Sequence, residues 1–205
     1  MERELAWNKY KNKHLKEMET LCKGYKEFLD NGKTERECIT ETIKIIKKAG
    51  YKNLNDIIAK KQKLQSGDKV YAVCMGKAIA MFNIGNRDIE EGINILGAHV
   101  DSPRIDIKQN PLYEDTNFAY LDTHYYGGIK KYQWVAIPLA IHGVVAKKDG
   151  TVVNVVIGED KDDPVVSITD LLIHLAGDQM TKTASKVIEG EQLDILIGSK
   201  PLAGE

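Results

Sequence analysis

Apolar residues recur at spacings of three and four along the N-terminal part of the chain, which is the spacing of an amphipathic helix. The pattern predicts a first helix over residues 3–29, with an aromatic and aliphatic stripe that runs from Trp7 to Leu29. Such a stripe is typical of packed core rather than of a cofactor site. We therefore predict that the stripe is buried and that His14, which lies on it, is a packed side chain and not a ligand.

A second helix is predicted to begin at Thr34, because Thr34 and Glu37 have the spacing of a capping box. Gly50 is expected to end this helix in the left-handed conformation that glycine favours there. The sequence predicts another short helix over residues 53–64. Its end carries the lysine-rich run 60–63, for which a solvated face is the favoured interpretation.

Strand patterns follow the helices. Residues 70–74 and 78–84 predict a β-hairpin around the turn Met75-Gly76-Lys77. Residues 93–98 form an apolar run bounded by glycines, which is typical of a fully buried strand in an α/β sheet. The first part of the chain is therefore predicted to be an α/β domain.

Only strand patterns are found from residue 110 to about residue 168. The strongest is a hairpin around Asp149-Gly150, and residues 131–135 are another predicted strand. Three segments are predicted to follow: a short helix or turn over residues 168–176, a polar, mobile loop over 177–190, and a short buried strand over 193–197.

Two polar side chains with a useful spacing stand directly after the predicted buried strand. His99 and Asp101 are two residues apart, so in an extended segment both side chains point to the same side. Asp101 can then hold one ring nitrogen of His99 and leave the other free for a metal, as is usual for metal-bound histidines. Ligands of open α/β sheets bind just beyond the carboxyl ends of strands. The pair alone leaves two interpretations open, a metal ligand and a structural histidine.

Composition narrows the functional classes. The chain has 205 residues, of which 42% are hydrophobic, and a net charge of −1, so it has no general electrostatic attraction to nucleic acid or to an anionic membrane. The sequence has no apolar stretch of membrane-spanning length and no secretory signal pattern. We expect a cytoplasmic protein with no nucleic-acid and no membrane partner. Its three cysteines, none in a Cys-x-x-Cys pair, favour neither a disulfide framework nor a thiolate zinc site.

Three blocks of sequence resemble one family of peptidases. They are Gly97-Ala-His-Val-Asp-Ser-Pro103, then Tyr126-Gly-Gly128 with Trp134, then Asp163-Pro164 followed by Ile168-Thr-Asp-Leu-Leu-Ile-His-Leu175. In this order they resemble the M18 metallo-aminopeptidases, the aspartyl aminopeptidase and aminopeptidase I group.

The resemblance implies a zinc-peptidase α/β fold, of the phosphorylase/hydrolase-like type, that is interrupted by a β-rich dimerisation domain. Residues 1–109 would form the N-terminal part of the catalytic domain and residues 110–176 the inserted domain. Residues 177–205 would form a loop and the start of the return to the catalytic domain. We expect a homo-oligomer built from dimers that acts on peptide substrates.

The resemblance also implies roles for three residues. His99 would ligate one of two zinc ions, and Asp101 would be the catalytic-site residue that orients it. His174 would reach from the inserted domain into a neighbouring subunit's active site and help to hold the substrate. In the family, the other ligands and the catalytic glutamate belong to a later half of the sequence. We therefore expect this chain to be the N-terminal portion of a longer enzyme, without the C-terminal half of the catalytic domain and inactive alone.

Two alternatives to the peptidase interpretation remain. One is a non-catalytic oligomerisation module, which an absence of bound metal would favour. The other is a related two-metal peptidase with a different inserted domain.

Overall fold

The computed structural model describes residues 3–200. The chain divides into two compact units, the first ending at Asp101 and the second beginning at Ser102. The described α-helices all lie in the first unit, and the second is built from β-strands, loops and short 3-10 turns. The predicted mixed α/β class is confirmed. None of the helices within residues 3–200 has the length and apolar composition needed to cross a membrane.

The first unit has a three-stranded sheet accompanied by three helices. Its elements are α1 (Asn12–Asn31), α2 (Glu35–Lys48), β1 (Lys52–Asn53), α3 (Leu54–Ala59), β2 (Lys69–Cys74) and β3 (Ala78–Asn83). Strand β2 is central, with β1 parallel on one side and β3 antiparallel on the other. The β2–β3 turn passes through Met75 and Gly76 at φ values of 51° and 69°. The predicted hairpin is confirmed.

Helix α2 begins and ends as its sequence predicts. The Thr34 hydroxyl accepts from the Glu37 N–H, and the Glu37 carboxylate accepts from the Thr34 N–H at 2.9 Å, so the capping box is complete. Gly50 follows the helix at a φ of 88°. The buried face of α2 is Cys38, Ile39 and Ile46.

The aromatic stripe on α1 is not core, and this prediction is wrong. Trp7 precedes α1 and is 62% exposed, and no residue of α1 itself is buried. His14 is also exposed, and its Nδ1 accepts from the Lys11 N–H at 3.3 Å. The reason is that the core of this unit consists of side chains from α2, α3 and β2, which do not extend over the stripe. These core residues are Cys38, Ile39, Ile46, Ile57, Val70 and Tyr71.

The apolar run at residues 93–98 is not a strand, so the prediction of a buried central strand is also wrong. The run has no regular secondary structure and is open to solvent, with Ile95 83% exposed and Leu96 100% exposed. A strand is stable only when neighbours take its backbone hydrogen bonds. Among the described strands none pairs with residues 93–98, so nothing holds the run in a sheet.

The second unit contains a five-stranded sheet and a separate hairpin. Its strands are β4 (Arg104–Asp115), β5 (Phe118–Tyr126), β6 (Pro138–Leu139), β7 (Ile141–Ala146), β8 (Val152–Ile157), β9 (Val166–Ser167) and β10 (Ile195–Gly198). The order in the large sheet is β4-β5-β10-β9-β6, and every pairing is antiparallel. Strands β7 and β8 form the hairpin predicted around Asp149-Gly150. Residues 131–135, predicted as a strand, instead contain a 3-10 turn at Lys131–Gln133.

The core of the second unit lies where β5, β9 and β10 meet. Its buried members are Val166, Ile168, Leu193 and Ile195. Thr123 on β5 is 0% exposed, and its hydroxyl donates to the Leu193 carbonyl at 2.6 Å. This bond satisfies the buried hydroxyl and joins β5 to the segment that leads into β10.

The ranges predicted for the domains differ from these two units. Strand β4 runs through the predicted boundary at 109/110, because it pairs with β5 from Arg104 onward. Strand β10 belongs to the large sheet, because it pairs with β5 and β9. The interpretation of residues 177–205 as a loop and the start of the return to the catalytic domain stays a prediction. The dimerisation role of the β-rich part stays a prediction.

Candidate metal centre

His99 and Asp101 are in direct contact at the end of the first unit. The Nδ1 atom of His99 lies 3.0 Å from the Asp101 carboxylate Oδ1 and 3.0 Å from the Asp101 backbone oxygen. The His99 side chain is 84% exposed. The contact predicted from the two-residue spacing is therefore present, although the apolar run before it is not in a sheet.

The contacts at Nδ1 determine which ring nitrogen of His99 is free. A carbonyl and a carboxylate both only accept hydrogen bonds, so Nδ1 must carry the proton that they share. In the neutral ring, Nε2 is then unprotonated and has a lone pair. No described residue donates a hydrogen bond to Nε2, and the ring is open to solvent. This is the tautomer and orientation of a metal-binding histidine with a supporting carboxylate.

One imidazole does not complete a metal site. Catalytic zinc takes about three protein ligands. Within residues 3–200 no group of three or more His, Cys, Asp and Glu side chains is arranged to hold a metal ion. The described residues therefore fit one zinc ligand and its support, and they do not fit a complete site.

The second unit begins directly after the pair, and its first residues are well anchored within that unit. The Arg104 Nε donates to Asp106 Oδ1 at 2.6 Å, and the guanidinium lies 4.1 Å from the centre of the Tyr126 ring. Gly127 has a φ of 76°, and a Cβ there would lie 3.5 Å from Pro103. The Pro103 end of the first sequence block and the Tyr126-Gly-Gly block therefore pack against each other.

His174 lies in an exposed turn of the second unit. The turn is closed by the Leu175 N–H, which donates to the Leu172 carbonyl at 2.8 Å. Its large apolar neighbours are all more than half exposed, namely Leu171, Leu172, Ile173 and Leu175. Among residues 3–200 the imidazole has no hydrogen-bond or ion-pair partner, so its side chain is available to a group outside the chain.

The second unit has two further histidines, each in contact with the carboxylate of a glutamate. His124 Nδ1 lies 2.8 Å from Glu191 Oε1, and His142 Nε2 lies 3.0 Å from Glu159 Oε1. The hydrogen bond from His124, with help from Lys108, lowers the pKa of the Glu191 carboxyl. These contacts occupy a ring nitrogen in a structural role.

Sequence reasoning missed a lysine-lined cavity in the first unit. Its lining residues are spread from Lys47 to Tyr71. No local motif joins them, and only the lysine run at 60–63 pointed to the region.

The comparison with known families identifies the chain. Residues 28–203 match the family described as aminopeptidase I zinc metalloprotease (M18). The chain belongs to the M18 family. The predicted resemblance is confirmed at this level.

Individual M18 proteins match over nearly the whole chain. A probable M18 family aminopeptidase 1 of Clostridium acetobutylicum is 62% identical over 197 residues, which are 96% of this chain and 42% of that protein. The protein in the crystal structure of an M18 aminopeptidase from Thermotoga maritima is 44% identical in sequence, and the two structures superpose with a TM-score of 0.87. The match covers 100% of this chain and 43% of the T. maritima chain. The crystal structure of aminopeptidase I from C. acetobutylicum matches with 59% sequence identity and a TM-score of 0.83. This match covers 98% of this chain and 44% of the C. acetobutylicum chain. The M18 chain thus spans less than half the length of these relatives.

Proposed function

We propose that the chain is part of a metal-dependent aminopeptidase that removes N-terminal residues from peptides. In this proposal His99 is a ligand of one of two zinc ions and Asp101 holds it in place. The observation that supports it is the contact of Asp101 with His99 Nδ1, which leaves Nε2 free. Family membership supplies the reaction class.

The three proposed site residues, His99, Asp101 and His174, have separate tasks in the proposed reaction. Bound zinc would polarise the peptide carbonyl and lower the pKa of a water. Asp101 keeps the His99 proton on Nδ1, so that Nε2 remains an acceptor for the ion. His174, contributed by a neighbouring subunit, donates a hydrogen bond to the carbonyl oxygen as that oxygen gains negative charge.

Assembly into a homo-oligomer built from dimers is part of the same proposal. Four large apolar residues flank His174 in sequence and are exposed in the single chain. Contiguous exposed apolar side chains mark interaction surfaces in soluble proteins. Such an interface would bury them and would place His174 against another subunit.

The 205-residue chain is proposed to be inactive alone, because its described residues hold no three-ligand group. The test joins the chain to the part of the C. acetobutylicum relative that lies beyond the matched region. With zinc, the fusion protein is expected to hydrolyse an aminoacyl-p-nitroanilide and to leave the N-acetylated compound intact. The chain alone is expected to show no turnover with either compound.

His99→Ala in the fusion tests the ligand role. It is expected to reduce turnover to background and to lower the zinc content, whereas His124→Ala, outside the proposed site, is expected to retain both. An active His99→Ala protein would refute the ligand role, and turnover by the chain alone would refute the inactivity. A well-folded fusion that binds no zinc would favour the oligomerisation module instead.

A further inference from the structure

The first unit contains a cavity that the proposed peptidase chemistry does not use. It has a volume of ≈ 330 Å³ and lies between the end of α2, strand β1, helix α3 and strand β2. This volume is within the range of small-molecule sites. Its lining residues are Lys47, Tyr51, Lys52, Asn53, Asp56, Ile57, Lys60, Gln62 and Tyr71.

The lining carries an excess of uncompensated positive charge. Lys47, Lys52 and Lys60 contribute three ammonium groups and Asp56 one carboxylate. Within residues 3–200 none of these three lysines forms an ion pair, in contrast to Lys44, which pairs with Glu41. The chain as a whole has a net charge of −1, so the positive potential is a local property of this cavity. Ammonium groups gathered around one cavity attract a counter-ion into it.

Tyr71 adds a directional donor to the same cavity. The residue is only 3% exposed, and its hydroxyl makes no hydrogen bond within the described chain. No fully buried side-chain oxygen or nitrogen among those residues lacks a partner, so this hydroxyl is still reached by solvent. Tyr71 is one of the residues that line the cavity. A hydroxyl that has no protein partner and is reached by solvent can exchange its water for a ligand oxygen.

The backbone after α3 brings Gln62 back to the cavity wall. The Lys61 N–H donates to the Ile58 carbonyl at 2.9 Å, and the Gln62 N–H donates to the Ile57 carbonyl at 3.0 Å. Lys61 has a φ of 52°, the left-handed conformation that usually requires glycine. Within the run 60–63, Lys60 and Gln62 therefore line the cavity, whereas Lys61 and Lys63 do not.

We propose that this cavity binds a small phosphate-bearing molecule. Its phosphate oxygens accept from Lys47, Lys52 and Lys60 and from the Tyr71 hydroxyl, which suits an anion with several acceptor oxygens. The Asn53 Oδ1 is occupied by the Asn55 N–H at 2.9 Å, so the Asn53 amide NH₂ is a further donor. Asp56 accepts a hydrogen bond from a hydroxyl on the rest of the ligand. The site is independent of His99 and of the proposed peptidase activity.

The test is isothermal titration calorimetry on the 205-residue chain at low ionic strength. Inorganic phosphate, tripolyphosphate and adenosine triphosphate are titrated separately. The expected result is saturable binding of at least one probe, with one site per chain and an affinity that falls as salt is added. The strongest probe distinguishes a free phosphate site from a site for a phosphate ester. No binding of any probe at millimolar concentration would overturn the proposal.

Matched variants separate a built site from general charge attraction. Lys52→Gln and Lys60→Gln are each expected to weaken binding about tenfold, and Tyr71→Phe, which keeps the ring, by about threefold or more. Lys48→Gln and Lys63→Gln remove the same charge from residues outside the lining and are expected to leave the affinity within about twofold. Equal losses in both sets would overturn the proposal. Circular dichroism melts establish that each variant is folded before it is titrated.

Discussion

The imidazole of His99 is held at one nitrogen and open at the other. Both acceptors at Nδ1 belong to the same residue, Asp101, through its carboxylate and its backbone carbonyl. The carbonyl contact does not depend on the side chain of residue 101. If the carboxylate is replaced, the backbone carbonyl still accepts the hydrogen bond from Nδ1. We therefore expect a partial loss of zinc affinity and turnover and not a complete one.

Asp101→Asn tests this expectation in the fusion protein. It is expected to reduce zinc affinity or turnover by about 10- to 100-fold, the usual effect of weakening a support of a metal ligand, and not to abolish them as His99→Ala does. Zinc affinity is measured by competition with a chelating dye, and turnover on the aminoacyl-p-nitroanilide. Asp106→Asn is the control because this nearby aspartate bonds to Arg104. Full retention of both quantities would contradict the orienting role of Asp101.

The Asp163 carboxylate is held by two backbone N–H groups, so its contribution to stability depends on pH. The Gly158 and Asp160 N–H groups donate to Asp163 Oδ2 at 2.7 and 3.2 Å. These bonds lower the pKa of the Asp163 carboxyl from its ordinary 3.8. A lowered folded-state pKa contributes stability that is complete above the ordinary value and is lost as pH falls through the folded value.

Asp163→Asn should therefore reduce the melting temperature at pH 7, and the difference from wild type should shrink as pH falls below about 4. Thermal unfolding followed by circular dichroism at pH 7, 4 and 3 gives the comparison. The lowered pKa values of Asp149 and Glu191 affect both proteins alike, so they cancel. A difference that stays constant across this range would show that the ionised carboxylate contributes nothing.

The spacing of residues predicted contacts that are local in sequence. The His99–Asp101 contact and the Thr34–Glu37 cap were both predicted because their members are two or three residues apart. The cavity around Tyr71 was not predicted, because it requires α2, α3 and β2 to be placed in space first. The predicted role of His174 stays a prediction for the same reason, since it depends on a second subunit.

At the scale of elements, the short 3-10 turn Gly190–Gln192 is attached to strand β5. Gly190 lies close against the edge atoms Cε1 and Cδ1 of the Tyr125 ring, and a Cβ at Gly190 would lie 2.3 Å from that ring. Glu191 pairs with His124 and with Lys108. The turn leads directly to Leu193 and so positions β10 for pairing with β5.

Gly190→Ala is expected to lower the free energy of unfolding by about 1–3 kcal/mol, because the new methyl group overlaps the Tyr125 ring and forces it to move. Urea unfolding followed by fluorescence measures the change. Gly128→Ala is the control, because a Cβ at Gly128 meets nothing within 4 Å. Equal stability of the two variants would contradict the close packing of Gly190 on the ring.

Elements whose ends carry capping residues or residues that favour turns were predicted well. Helix α2 has a cap at its start and a glycine after its end, and the β2–β3 and β7–β8 hairpins have suitable turn residues. Burial predicted from apolar content alone was wrong, both at α1, which is a helix as predicted but is not buried, and at residues 93–98, which form no strand. A periodic apolar face indicates what a segment can bury, but its burial depends on a partner that the local pattern does not specify.

At the scale of the whole molecule, the exposed apolar side chains around His174 predict self-association. Leu172 is 70% exposed, and burying a leucine contributes about 1.5–3 kcal/mol. Leu172→Asp is expected to raise the dimer dissociation constant by about tenfold or more, measured by sedimentation velocity. Val152→Asp, at an exposed valine of the β7–β8 hairpin, is expected to leave it unchanged. A wild-type chain that remains monomeric at high micromolar concentration would contradict the proposed interface.

The run at residues 93–98 has a consequence for the fate of the chain in a cell. Chaperones and proteases recognise extended apolar stretches, and they continuously remove chains that display them. Ile95 and Leu96 are accessible in the folded chain without any unfolding step. A protease can therefore reach this stretch in the native chain, and cleavage there does not have to wait for the unfolding of either unit.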